Sequence, residues 1–153
     1  NLVDGAINKL LTSKTRIKIL DVPGVFEIPI SIRRNIKKFD GFIALGCVIK
    51  GETPHFNLIC SSTFNAILKI SVEFNKPIGN GIITALNNQQ AFARCGIIDS
   101  NKPNKGSEAA NAVLSILNNE PKKINKTKFV TIFNNGIKTS LENTGAKFVI
   151  NSK

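Results

Sequence analysis

The sequence predicts an α/β fold, a three-layer αβα sandwich around a four-stranded parallel sheet. Two observations predict it. Short apolar segments at residues 17–22, 42–49 and 78–84 alternate with stretches of helical periodicity, the pattern of strand–helix–strand units. The run Phe42-Ile43-Ala44-Leu45-Gly46-Cys47-Val48-Ile49 is apolar at every position but one, as a strand covered by helices on both faces must be.

Each element has its own reason. Leu2, Val3, Ala6, Ile7, Leu10 and Leu11 make an amphipathic helix that opens the chain, with no strand before it. Residues 17–22 read as a strand closed by Pro23-Gly24, a turn signal. Residues 28–36 form a second helix around Pro29. The central strand covers 42–49, and a long helix runs over 54–74 until Lys76-Pro77 breaks it. Residues 78–84 are a third strand and 88–95 a short helix carrying Arg94. A polar loop over 96–106 precedes a helix at 107–117, with Ala110, Val113, Leu114 and Leu117 on one stripe. Residues 119–128 are lysine-rich and read as a linker. Two short apolar runs follow, at 129–133 and 147–150.

Composition narrows the function. With 153 residues and 42% hydrophobic content, one domain with a real core is expected over 1–153. No apolar stretch is long enough to span a bilayer, and no signal-peptide pattern opens the chain. Three cysteines without C-x-x-C spacing form neither a disulfide framework nor a zinc site, so a reducing cytoplasm is the expected setting. A single histidine and scattered carboxylates argue against a metal centre. The net charge of +11 comes from dispersed lysines, without an aromatic RNA-stacking motif or a helix-turn-helix. It reads as general attraction for anionic substrates, not as a nucleic-acid surface.

The most informative stretch is Gly51-Glu52-Thr53-Pro54-His55-Phe56, a strand-to-helix corner with the chain's only histidine. Thr53 is a suitable N-cap, and Pro54 fits the first helical position, where its missing N–H costs nothing. Free backbone N–H groups there are suited to a phosphate, and an imidazole beside it could shuttle protons. The same residues also make an ordinary capping corner with an idle surface histidine, and spacing alone does not choose between the two. In such sheets ligands collect at the carboxyl ends of the strands. Three loops qualify: Pro23-Gly24-Val25-Phe26-Glu27, residues 46–55, and the segment after Thr84. There is no phosphate-binding P-loop and no G-x-G-x-x-G.

Five motifs, in this order and spacing, resemble the 6,7-dimethyl-8-ribityllumazine synthase family of riboflavin biosynthesis. They are Leu2-Val3-Asp4-Gly5-Ala6, then Val22-Pro23-Gly24-Val25-Phe26-Glu27-Ile28-Pro29, and Ala44 through Phe56. Gly81-Ile82-Ile83-Thr84 and Asn104-Lys105-Gly106 complete the set. The likeness covers residues 1–118. It implies a flavodoxin-like fold and a transferase that condenses 5-amino-6-(D-ribitylamino)uracil with 3,4-dihydroxy-2-butanone 4-phosphate, releasing phosphate and water. It implies no metal and no organic cofactor. By resemblance His55 is the acid/base, the phosphate lies on the backbone of Glu52 and Thr53, and Arg94 clamps it. Val25, Phe26 and Glu27 would hold the pyrimidine and ribityl chain, and Cys47, Val48 and Ile49 would offer strand-end backbone to the uracil ring. Cys47 reads as packing, since nothing near it in sequence would activate a thiol. Lys105 matches a further lysine of the family site.

The resemblance also carries departures. Asn80 stands where many members have phenylalanine, on a strand that a neighbouring subunit contributes to the site; hydrogen bonding would replace stacking. Members begin with a strand and a Phe-Asn corner whose phenylalanine packs on the pyrimidine, yet this chain opens inside the following helix. The tail, 129–153, is therefore expected to supply that strand in a circularly permuted order, with 148–150 preferred and 129–132, followed by Phe133-Asn134, as the alternative. The family implies a homopentamer, its sites built between subunits, with His55 and Arg94 from different chains. A long loop at 97–104 points to a free pentamer rather than an icosahedral shell. The rival readings are a lumazine- or flavin-binding module without turnover and a shell-forming scaffold.

Overall fold

A computed structural model describes residues 1–96, 103–119 and 127–135. Helix α1, Leu2–Leu10, leads to strand β1, Thr15–Asp21, and a single 3-10 turn over Val25–Glu27 precedes α2, Ile28–Asn35. Strand β2, Gly41–Ile49, is followed by α3, His55–Glu73, and by β3, Ile78–Ala85. Helices α4, Asn88–Arg94, and α5, Lys105–Asn119, and strand β4, Lys128–Asn134, complete the described chain.

All four strands are parallel, in the order β1-β4-β2-β3. The last described strand in sequence is thus an inner strand of the sheet. Val130 pairs with Ile17 on one side and Gly41 on the other, and Ile132 pairs with Ile19 and Ile43. Of the two tail segments that could join the sheet, the structure places the one at 129–132 there. The preferred segment at 148–150 lies outside the described residues.

Side chains of β2 and β4 alternate between two cores. Ile43, Leu45, Val130 and Ile132 face α1, α4 and α5, meeting Ala6, Leu10, Ala110, Val113 and Leu114. Phe42, Ala44 and Phe133 face α2 and α3, meeting Ile28, Ile32 and Ile67. Phe133 is fully buried and stacks on Phe42 at 6.3 Å between ring centroids. This is the three-layer sandwich the apolar central strand predicts.

The helix starts differ from the sequence reading in two places. Thr53 does not cap α3: the N-cap is Pro54, without a side-chain cap bond. Pro54 already has a helical φ of −61°, and its carbonyl accepts from the Asn57 N–H at 3.0 Å, so the first turn opens beyond Thr53. Helix α5 begins at Lys105, ahead of the expected Ser107, because the Asn104 side chain accepts from the N–H groups of Gly106 and Ser107 at 2.9 and 3.2 Å.

Helix α3 is unusual in what it leaves open. Only Thr63 and Ile67 of its 19 residues are buried. Leu58, Leu68 and Val72 are 67%, 64% and 75% exposed.

Candidate active site

The carboxyl ends of the strands form one rim. As the chain leaves β1, the Val22 N–H donates to the Asn134 carbonyl of β4 at 3.1 Å. The Asn135 side-chain amide donates to the Pro23 carbonyl at 2.9 Å, while the Asn135 backbone N–H donates to the Leu45 carbonyl at 2.9 Å. The turn after β1 is thereby tied to the ends of β4 and β2. The 3-10 turn that follows buries Val25 and leaves Phe26 56% exposed, with Glu27 half-buried.

Strand β2 changes character at this rim. Its first six residues are buried, whereas Cys47, Val48 and Ile49 are half-buried. The Lys50 N–H donates to the Ala85 carbonyl at 2.9 Å as the last rung. Gly51, Glu52, Thr53, Pro54 and His55 are then all exposed. Among the described residues, the backbone N–H groups of Glu52 and Thr53 make no backbone hydrogen bond, and both residues are open to solvent or to a ligand. An anion ahead of α3 would meet those donors and the positive end of a long helix. His55 is the first residue of that helix.

Cys47 sits within this rim, half-buried. Its thiol is pushed up to about 11, first by burial and then by the neighbouring Cys95 thiol. A thiol so raised is protonated at neutral pH and inert.

Arg94, Lys105 and Asn80 belong to other parts of the fold. Arg94 ends α4, which packs with α1 and α5 on the face opposite α3, and it is exposed. The start of α4 is set by a reciprocal pair: Asn87 Oδ1 accepts from the Gln90 N–H, and Gln90 Oε1 accepts from the Leu86 N–H, each at 2.9 Å. Lys105 opens α5 and pairs with the Glu108 carboxylate one turn on. Asn80 is exposed on the edge strand β3, where its side-chain oxygen accepts from the Ile82 N–H at 3.1 Å. To a ligand Asn80 can offer its amide N–H groups and the second lone pair of its oxygen.

One chain therefore gathers Val25, Phe26, Glu27, Cys47, Val48, Ile49, Glu52, Thr53 and His55 at one end of the sheet. Arg94 and Lys105 stand on elements of the other face. Beside Phe26, a cleft of about 320 Å³ runs between α2 and α3, lined by Pro29, Ile30, Thr63 and Ala66. Phe133, the aromatic residue of the alternative corner, is committed to the core and presents no ring at the rim. Among the described residues, no cluster of three or more His, Cys, Asp or Glu could hold a metal ion, and no helix is long and apolar enough to cross a membrane.

Two further residues, to which the sequence assigns no role, tie segments together. Asn135 ties down the turn before Val25, and Asn104 spends its whole side-chain amide on hydrogen bonds. Only Asn104 carries a readable signal, as a favoured N-cap type just before a helix.

A family model described as 6,7-dimethyl-8-ribityllumazine synthase matches residues 1–120. The 6,7-dimethyl-8-ribityllumazine synthase of Nitrobacter hamburgensis is 37% identical over 123 residues, which cover 76% of this chain and 74% of that protein. The protein of that name from Bartonella tribocorum is 36% identical over 118 residues, 75% of this chain and 78% of its own. The 6,7-dimethyl-8-ribityllumazine synthase 1 of Rhodopseudomonas palustris is 39% identical over 123 residues, covering 76% and 74%. The matched region ends ahead of β4, although β4 lies inside the sheet.

Proposed function

The chain belongs to the 6,7-dimethyl-8-ribityllumazine synthase family, and from that premise we propose that it condenses 5-amino-6-(D-ribitylamino)uracil with 3,4-dihydroxy-2-butanone 4-phosphate to 6,7-dimethyl-8-ribityllumazine. The observation that carries this reading beyond the family is the rim itself. Two separate segments, the turn with Phe26 and Glu27 and the corner with Glu52, Thr53 and His55, both lie at the carboxyl end of one sheet. One has an exposed aromatic face and a carboxylate, the other exposed backbone N–H donors beside an imidazole.

In this reading Phe26 packs on the pyrimidine and Glu27 accepts from ribityl hydroxyls, while the backbone at Cys47, Val48 and Ile49 meets the ring. The phosphate lies on the N–H groups of Glu52 and Thr53, clamped by Arg94, whose guanidinium makes paired bonds to oxygen. Lys105 adds charge, and Asn80 donates from its amide. The substrate amine attacks the ketone and water leaves as the imine forms. Phosphate is then eliminated to leave an enol that tautomerises to a ketone, and the second amine adds to that carbonyl, a second water leaving as the ring closes. Each step moves a proton, and His55 at the corner takes and returns them.

Arg94 and His55 stand on helices packed against opposite faces of the sheet, and in this reading a second copy completes the site. The uncovered Leu58, Leu68 and Val72 of α3 and the cleft beside Phe26 give that copy a surface to cover. Family resemblance makes the assembly a homopentamer in the cytoplasm. The loop at 97–104, on which a free pentamer was expected, lies largely outside the described residues. The inner position of β4 supports a circularly permuted order, in which the C-terminal segment serves as the family's first strand.

Retention of His55, Arg94, Glu27 and Thr53 together favours turnover over a binding module or a scaffold. The test mixes purified protein with both substrates at neutral pH and follows lumazine fluorescence, with His55→Ala and Arg94→Ala alongside. Turnover that falls in both variants supports the reading; absence of turnover in the unaltered protein overturns it.

A further inference from the structure

We propose that Asn104 is a positioning residue that holds Arg94 and Lys105 in one phosphate-binding arrangement, an inference that rests on the role given to those two residues above. Its side-chain amide uses every bond it can readily make. The two N–H donors go to the Cys95 carbonyl at 2.8 Å and the Asn1 carbonyl at 3.0 Å. The oxygen accepts from the N–H groups of Gly106 and Ser107 at 2.9 and 3.2 Å. One half-buried side chain thus joins the end of α4, the start of α1 and the first turn of α5.

The placement matters because of what lies beside each bond. Cys95 directly follows Arg94, and Lys105 directly follows Asn104. The amide is a direct bridge between the backbone beside Arg94 and the first turn that carries Lys105.

The surroundings are cut to admit it. A β-carbon on Gly5 would stand 2.2 Å from Asn104 Oδ1, and one on Gly106 would stand 1.9 Å from the Leu2 carbonyl oxygen. Two glycines therefore let α1 and α5 close around this one side chain.

A plain helix cap would need only the acceptor side. Aspartate caps as well as asparagine and suits the positive helix end better. A cap alone therefore predicts that Asn104→Asp is harmless, whereas a bridge predicts that it fails, because aspartate cannot donate to Cys95 and Asn1. Asn104→Ser separates the lost donors from the added charge, since serine is a neutral cap too short to reach both carbonyls.

The experiment measures KM for each substrate in the unaltered protein and both variants, with the thermal midpoint recorded beside them. The expected result is a KM for the butanone phosphate raised about tenfold in both variants, with KM for the pyrimidine changed less than about twofold. Unchanged phosphate KM in Asn104→Ser, or a parallel rise in both KM values, overturns the proposal. If the unaltered protein shows no turnover, the functional reading fails, and inorganic phosphate titrated while the thermal midpoint is followed judges the bridge by itself. A midpoint rise in the unaltered protein that is lost in Asn104→Ser supports it. An equal rise in both, or none in the unaltered protein, overturns it.

Discussion

A β-carbon on Gly46 would stand 2.6 Å from Cγ1 of Val25. That spacing lets the turn carrying Phe26 and Glu27 rest directly on the end of β2. The third party is Asn135, whose β-carbon would be 3.4 Å from the same point and whose amide holds the Pro23 carbonyl. Three segments far apart in the chain thus share one glycine-sized gap. Gly46→Ala is expected to destabilise the protein by about 1–3 kcal/mol, because Val25 is branched, buried and cannot swing away. Urea unfolding midpoints check this, and a midpoint equal to that of the unaltered protein would show that the gap has slack.

Much of this arrangement is visible in the residues. The apolar run from Phe42 to Ile49 announces a strand covered on both faces, and Pro23-Gly24 marks the turn that delivers Phe26. The place of 129–133 in the sheet is not visible locally, because 129–133 and 147–150 are both short apolar runs, and what puts the first there is its pairing with β1 and β2. Periodicity is a local property and register partners are not. The cap of α3 eluded the reading for a smaller reason: Thr53 and Pro54 are both reasonable openers, and the helix begins one residue beyond the expected start. The split of the site between two faces also lies outside local pattern, since it depends on which layer α4 joins.

Strand β4 should carry a large share of stability although it lies past the family match. Phe133 is fully buried against Phe42, and its removal leaves a cavity between two strands. Phe133→Ala is expected to cost about 3–5 kcal/mol, read from urea unfolding. A cost below about 1 kcal/mol would mean that β4 is not firmly held in the sheet.

The open face of α3 can be tested apart from catalysis. Leu68 and Val72 are largely exposed in one chain, so the double variant Leu68→Glu, Val72→Glu should leave the subunit folded. If these residues face another copy, buried like charges will block assembly. Sedimentation velocity should then show a single subunit with an unchanged circular dichroism spectrum. An oligomer of unchanged size would place the interface elsewhere.

Cys47 predicts a pH effect with a definite sign. Its thiol titrates at about 11 in the folded chain against an ordinary 9.0, so the folded state keeps a proton that the unfolded state gives up. The contribution to stability is fully present below pH 9.0 and is lost as pH rises through about 11. Unfolding free energy should therefore fall with pH across that window, and less steeply in Cys47→Ala. In the same chain, iodoacetamide at pH 8 should label Cys47 only after denaturation. Equal slopes for the two proteins, or rapid labelling of the native one, would contradict the burial.

The last prediction follows from the division of the site between faces. His55 opens α3 at one side of the sheet, and Arg94 closes α4 on the other. If each site takes its histidine from one subunit and its arginine from the next, His55→Ala and Arg94→Ala damage complementary halves. Each pure oligomer should lose about 10²–10⁴ in kcat or, for the phosphate clamp, in kcat/KM. Subunits of the two variants, mixed in equal amounts while unfolded and refolded together, should regain activity. Random assembly gives an intact pair at about a quarter of the sites, because each site needs one subunit of each kind in the right order. The double variant His55→Ala, Arg94→Ala, mixed with either single variant, can form no intact pair and serves as the control. Recovery near a quarter would establish sites shared between chains. Mixed oligomers no more active than their parents would place both residues in the same subunit's site, and the single-chain geometry would then have to close by bringing α4 round the end of β2 and β3.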